Sequence, residues 1–132
     1  MNKALVHKKA HFKGVIPCLR VNDIHKTLDF YQNALGFKAI KEHNNLASVQ
    51  RDEVVIEFRR SHKACGRSEA EFNQNRDLDI EVQEIEALYN QLEKKNVRII
   101  NSISKDRLGH KNFQIVDCNG YVIVFTQRHT DK

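Results

Sequence analysis

The feature that most constrains this chain is an internal repeat. Leu19-Arg20-Val21-Asn22-Asp23-Ile24 lies over Ile80-Glu81-Val82-Gln83-Glu84-Ile85 at a constant shift of 61 positions. The same shift carries Leu28 onto Tyr89 and Tyr31 onto Leu92, so an apolar stripe is repeated along with the strand before it. A repeat of strand, helix start and helix stripe means that one supersecondary unit is used twice.

Periodicity fills in each unit. Val15 to Val21 reads as a strand, and Asp23 offers a carboxylate to cap a helix whose stripe is Ile24, Leu28, Tyr31 and Leu35. Gly36 ends that helix, and Phe37–Lys41, Leu46–Gln50 and Val54–Arg59 read as three short strands. In the second half, Leu78 to Val82 alternates as a half-buried strand, and Ile85, Leu88, Tyr89 and Leu92 form the helical stripe. Val97–Ile100, Lys111–Val116 and Tyr121–Gln127 complete it. The expected fold class is α+β. Two βαβββ modules, residues 13–60 and 76–127, build a curved eight-stranded mixed sheet with helices outside. A linker, 61–75, joins them, and a basic arm, 1–12, precedes them. With 132 residues the chain is read as a single domain.

Charge narrows the function. The net charge is +5, but Lys3, Lys8, Lys9 and Lys13 supply four of those charges before residue 14, where there is no acid. The body is close to neutral and has no basic stripe, which argues against nucleic acid as a partner. No apolar run approaches the ~18 residues of a membrane span, and the N-terminus lacks the apolar core of a signal peptide. Cytoplasmic residence is expected, and three scattered cysteines suit a reducing compartment. Cys18 is read as a small core residue and Cys118 as a turn residue.

Certain stretches carry a family resemblance. Ile16-Pro17-Cys18-Leu19-Arg20-Val21-Asn22-Asp23-Ile24, Phe30-Tyr31, Leu35-Gly36-Phe37 and the ending Phe113 to Ile123 resemble the vicinal oxygen chelate superfamily. That superfamily includes glyoxalase I, extradiol dioxygenases, fosfomycin-resistance enzymes and bleomycin-resistance proteins. The bleomycin-resistance branch is the most similar, since Pro17 sits in the first strand as it does there. In the F-x-x-x-D-P-D-G-x-x-I motif, Cys118 and Asn119 replace the customary Pro and Asp, and Leu108-Gly109 stands for a customary W-G.

The resemblance implies four metal-ligand positions, which fall on Ile16, Glu57, Asp77 and Val124. Two of them are apolar, and no cofactor is expected. Of the seven histidines, only His110 is placed near a pocket. Period two puts Val55, Glu57 and Arg59 on one face of their strand and Ile56 and Phe58 on the other, with the pocket side left open. The expected ligand contacts are therefore drawn from Phe37, Glu57, Phe58, Asp79, His110 and Asn112. The implied function is a homodimer that holds a small amphipathic, antibiotic-like or toxic compound in its pockets. A metal-dependent lyase or isomerase, and an accessory protein without a pocket, stand as alternatives.

Overall fold

The computed structural model describes residues 8–130, so the first seven residues of the basic arm, with Lys3 and His7, lie outside the described residues. The first module runs β1 (Cys18–Val21), α1 (Ile24–Asn33), β2 (Lys38–Glu42), β3 (Leu46–Arg51) and β4 (Val54–Arg60). The second runs β5 (Leu78–Glu81), α2 (Ile85–Lys94), β6 (Arg98–Lys105), β7 (Lys111–Val116) and β8 (Val122–Gln127). Among the described residues, eight strands form two four-stranded sheets, ordered β1-β4-β3-β2 and β5-β8-β7-β6. In each, the first strand runs parallel to the last and the remaining neighbours are antiparallel.

Most boundaries differ from the sequence reading by one or two residues. β1 begins at Cys18 rather than Val15, although the Pro17 carbonyl still accepts from the Glu57 N–H at 2.9 Å. Pro17 has no N–H to extend the ladder toward the N-terminus. β6 is the largest difference. It reaches Lys105 because register shifts between Ile99 and Asn101, and between Asn101 and Ser104, carry a polar stretch through the pairing.

Each helix covers one face of its own sheet. Ile24, Thr27, Leu28 and Tyr31 are the buried residues of α1, and Leu19, Val21, Ala47, Val49, Ile56 and Phe58 meet them from the sheet. In the second module Ile85 and Leu92 of α2 join Leu78, Phe113, Ile115, Ile123 and Phe125. These two sets form one continuous core. Burying a side chain of this size contributes about 1.5–3 kcal/mol, so this core dominates the stability.

The helix starts differ. Asp23 caps α1 as its carboxylate accepts the Lys26 N–H at 3.0 Å. Glu84, at the matching position before α2, has φ +54° and makes no such bond; the Ile85 N–H donates instead to Gln127 Oε1 of β8 at 2.9 Å.

The segment between the modules is more structured than a linker reading implies. A 3-10 turn spans Glu69–Gln74, and the Ser68 N–H donates to Glu71 Oε1 at 2.9 Å in a capping box. Upstream, the backbone is pressed against the β7–β8 turn, with the Arg67 N–H donating to the Gly120 carbonyl at 2.9 Å. A Cβ at Gly66 would lie 1.9 Å from the Asn119 carbonyl oxygen, and φ there is +82°. A Cβ at Gly120 would come within 2.9 Å of the Arg67 carbonyl oxygen.

Candidate functional site

Glu57 sits near the centre of the first sheet, and its face follows from its neighbours. Leu19 pairs with Phe58, and both are buried under α1. The alternate residues therefore face away from the helix. On that side the register aligns Cys18, Glu57, Ser48 and Lys41 in one row across β1, β4, β3 and β2. The next row holds Arg20, Arg59 and Leu46. Arg59 Nη2 stands 3.9 Å from Glu57 Oε1, with the Glu57 side chain 28% exposed, so the pair is loose and partly solvated. Cys18 is exposed on this face, which corrects its reading as a core residue: period two from Leu19 and Val21 turns it outward.

The corresponding face of the second sheet is furnished differently. Asp79, Val124, Gln114 and Asn101 align in a row, followed by Glu81, Thr126, Asn112 and Ser104. Asp79 accepts from Thr126 Oγ1 at 3.0 Å and pairs with Arg76 at 3.3 Å, while the Asn101 amide donates to Gln114 at 2.6 Å. Part of this face is covered. Phe72 of the 3-10 turn packs on Val116 and Val122, and the Arg98 guanidinium lies 5.1 Å above its ring.

Glu57, Asp79 and Asn112 thus lie on the sides of their sheets that face away from the helices. Phe58 and Phe37 lie on the opposite side, in the core, edge-on to Tyr31 at 4.8 and 5.7 Å between ring centroids. The strand phase left open by the sequence is settled in favour of Glu57 as the residue away from the helix. His110 precedes β7, where its Nδ1 accepts the His129 N–H at 2.7 Å. Leu108, in place of the customary aromatic, is 72% exposed.

The donor set at the four implied ligand positions does not suit a divalent ion. Ile16 and Val124 offer no donor, and Val124 is fully buried. Asp77 is committed elsewhere: Oδ1 accepts from Arg67 Nη2 at 2.8 Å and Oδ2 from the Val122 N–H at 2.9 Å. Among the described residues no three His, Cys, Asp or Glu gather as a metal site would require.

One polar group in the core escaped the sequence reading. Tyr31 of α1 donates to Asp117 Oδ2 at 2.6 Å, bridging the two modules, while the Asn119 and Tyr121 N–H groups donate to Oδ1 at 2.8 and 2.9 Å. Burial pushes the Asp117 carboxyl above its ordinary value, against the lowering effect of these donors. Burial, followed by the charge of Asp117, pushes the Tyr31 hydroxyl well above its own. Its signal in the sequence is Asp117 within the Asp117-Cys118-Asn119-Gly120 stretch.

Comparisons with known proteins agree with this architecture. The family profile of the Glyoxalase/Bleomycin resistance protein/Dioxygenase superfamily matches residues 10–125. No curated protein is matched by the sequence. Among solved structures, a glyoxalase/bleomycin resistance protein/dioxygenase from Alicyclobacillus acidocaldarius superposes with a TM-score of 0.76 at 15% identity, covering 90% of this chain and 93% of that one. The bleomycin-binding protein of bleomycin-producing Streptomyces verticillus, solved with copper(II)-bleomycin, gives 0.73 at 20% identity, covering 92% and 100%. A bleomycin resistance determinant encoded on the transposon Tn5 gives 0.70 at 18%, covering 90% and 100%. At these identities the likeness establishes the fold.

Proposed function

The chain belongs to the Glyoxalase/Bleomycin resistance protein/Dioxygenase superfamily, and from that premise we propose that it is a metal-free binding protein that sequesters a small amphipathic compound. The observation that carries this reading is Glu57, a half-buried carboxylate on the strand face turned away from α1. Of its neighbours Cys18, Ser48 and Arg59, only the Cys18 thiol could join it on a metal, fewer donors than such a site needs. A ligand site needs apolar walls with a few converging polar groups, and Leu46 and Val55 supply apolar surface on the same face.

A second copy of the chain completes the pocket. Phe12, Val15 and Ile16 are 93%, 91% and 62% exposed in the lone chain, an apolar strip beside β1 that pairing would cover. The partner's second sheet would then bring Asp79 and Asn112 toward the ligand. Bleomycin itself is a poor match. It is a strongly cationic glycopeptide, and Arg20 and Arg59 flank Glu57 on a chain of net charge +5. An antibiotic-like or toxic compound with a planar aromatic body and little net charge suits the face better.

The test is a thermal-shift panel of planar amphipathic compounds, with light scattering for the mass. A compound at about 100 times its Kd stabilises by roughly 2.7 kcal/mol, a visible shift. Glu57→Gln should weaken a hit carrying a cationic group about tenfold or more and leave a neutral hit little changed. A monomer near 15.4 kDa at micromolar concentration, or cationic hits that bind the variant unchanged, would defeat the reading.

A further inference from the structure

A cavity lies away from Glu57. It is a cleft of about 720 Å³ between the modules, within the roughly 300–1,000 Å³ range of small-molecule sites. The β3–β4 turn, the end of β5 with the start of α2, and the residues after α1 form its walls. The floor is apolar: Leu35, Phe37, Leu92 and Phe125 are buried core residues exposed to the cleft only at their edges, with Val54 and Leu88 half-buried beside them.

The rim carries four carboxylates, Asp52, Glu53, Glu81 and Glu84, against a single cation, Arg51. Arg51 is already committed. Its Nη1 donates to the Leu35 carbonyl at 2.8 Å, and its Nη2 lies 3.5 Å from Gln91 Oε1. Glu81 is paired with Arg128 at 3.4 Å. With Glu81 matched by Arg128 and the Arg51 charge offsetting one carboxylate, Asp52, Glu53 and Glu84 still leave the cleft with a net negative charge, on a chain whose net charge is +5.

We propose that this intermodule cleft is a second binding site, selective for small organic cations with an apolar body. The body packs on Leu35, Phe37, Val54, Leu88 and Phe125, and the cationic centre sits among Asp52, Glu53 and Glu84. An anion of the same shape is rejected at the rim, because opposite charge in a partly desolvated cleft favours only the cation. The inference is independent of the ligand at Glu57 and uses none of that site's residues.

Isosteric probes of opposite charge test it: tetraphenylphosphonium and tetraphenylborate, titrated by calorimetry against the full chain. The basic arm attracts the borate and the near-neutral body favours neither probe, so preferential binding of the phosphonium points to the acidic cleft. The expected result is phosphonium binding at least tenfold tighter than borate binding. It should weaken tenfold or more in an Asp52→Asn, Glu53→Gln, Glu84→Gln variant and stay unchanged in Glu57→Gln. Asn suits the left-handed backbone at residue 52, where φ is +51°, so the fold should persist, and a circular dichroism melt verifies this.

Equal binding of the two probes, or phosphonium binding that survives the triple substitution, overturns the proposal. Loss of phosphonium binding in Glu57→Gln alone places the cation at the other site and also overturns it.

Discussion

Ile56-Glu57-Phe58 on β4 and Ile123-Val124-Phe125 on β8 hold the same place in the two modules. In both, the outer residues face the helix and the central one faces away. Cys18 pairs with Glu57 where Asp79 pairs with Val124, so a carboxylate stands on the fourth strand of one module and on the first strand of the other. Glu57 remains partly solvated, whereas Val124 is fully buried in a face that Phe72 helps to close. The duplication preserved the side that makes the core and let the other side diverge, because packing constrains only the first.

The largest expected effect comes from exchanging the central residues. Val124→Glu buries a carboxylate beside that of Asp79 and should cost on the order of 4 kcal/mol in urea denaturation, or raise the carboxyl pKa strongly. Glu57→Val should change stability by less than about 1 kcal/mol, since its Arg59 partner is loose. Equal costs would show that the two faces are not different environments.

Phe72→Ala comes next. Removing the ring should cost about 3 kcal/mol and open Val116 and Val122 to an apolar dye that the parent chain does not bind there.

The bridge between modules comes third. Tyr31→Phe deletes the hydroxyl that donates to Asp117 and should cost about 2 kcal/mol at neutral pH. The Asp117 carboxyl is raised in the folded chain, so its ionisation opposes folding. Its contribution is fully present below the ordinary value of 3.8 and is lost as pH rises through the raised value. Without the Tyr31 donor that value rises further. The stability gap between parent and variant should therefore be small near pH 3 and widen toward neutrality, as read by urea titration at each pH.

The smallest difference is at the helix starts. Asp23→Ala removes a local cap from α1 at a cost of about 1 kcal/mol. The same substitution at Glu84 should cost less, because Gln127 performs that task for α2.

The repeat was legible because each unit writes its own period: strand alternation at two, helix stripes at three and four. Phe58 and Glu57 illustrate the limit. Period two separates the two faces of β4, but only the packing of Leu19 and Phe58 against α1 decides which is which. Cys18 faces outward because the alternation set by Leu19 and Val21 outweighs the usual burial of a free cysteine. Gln127 could not be read as a cap, being 42 positions from the helix it serves. The intermodule cleft was equally hidden, since its walls come from four separated stretches of chain. By contrast, the Ser68 to Glu71 capping pattern was present in a segment read only as a polar linker.

The tight passage of Gly66 against Asn119 and Gly120 has a consequence for anyone who would re-engineer the chain. A segment that looks like a spacer is normally the first choice for inserting a tag, lengthening a tether or splitting a protein into complementing halves. Here residues 66 and 67 are a seam rather than a spacer, with no room for even a methyl group at position 66. The Asn44-Asn45 hairpin, exposed at the tip between β2 and β3, is the better site for added sequence.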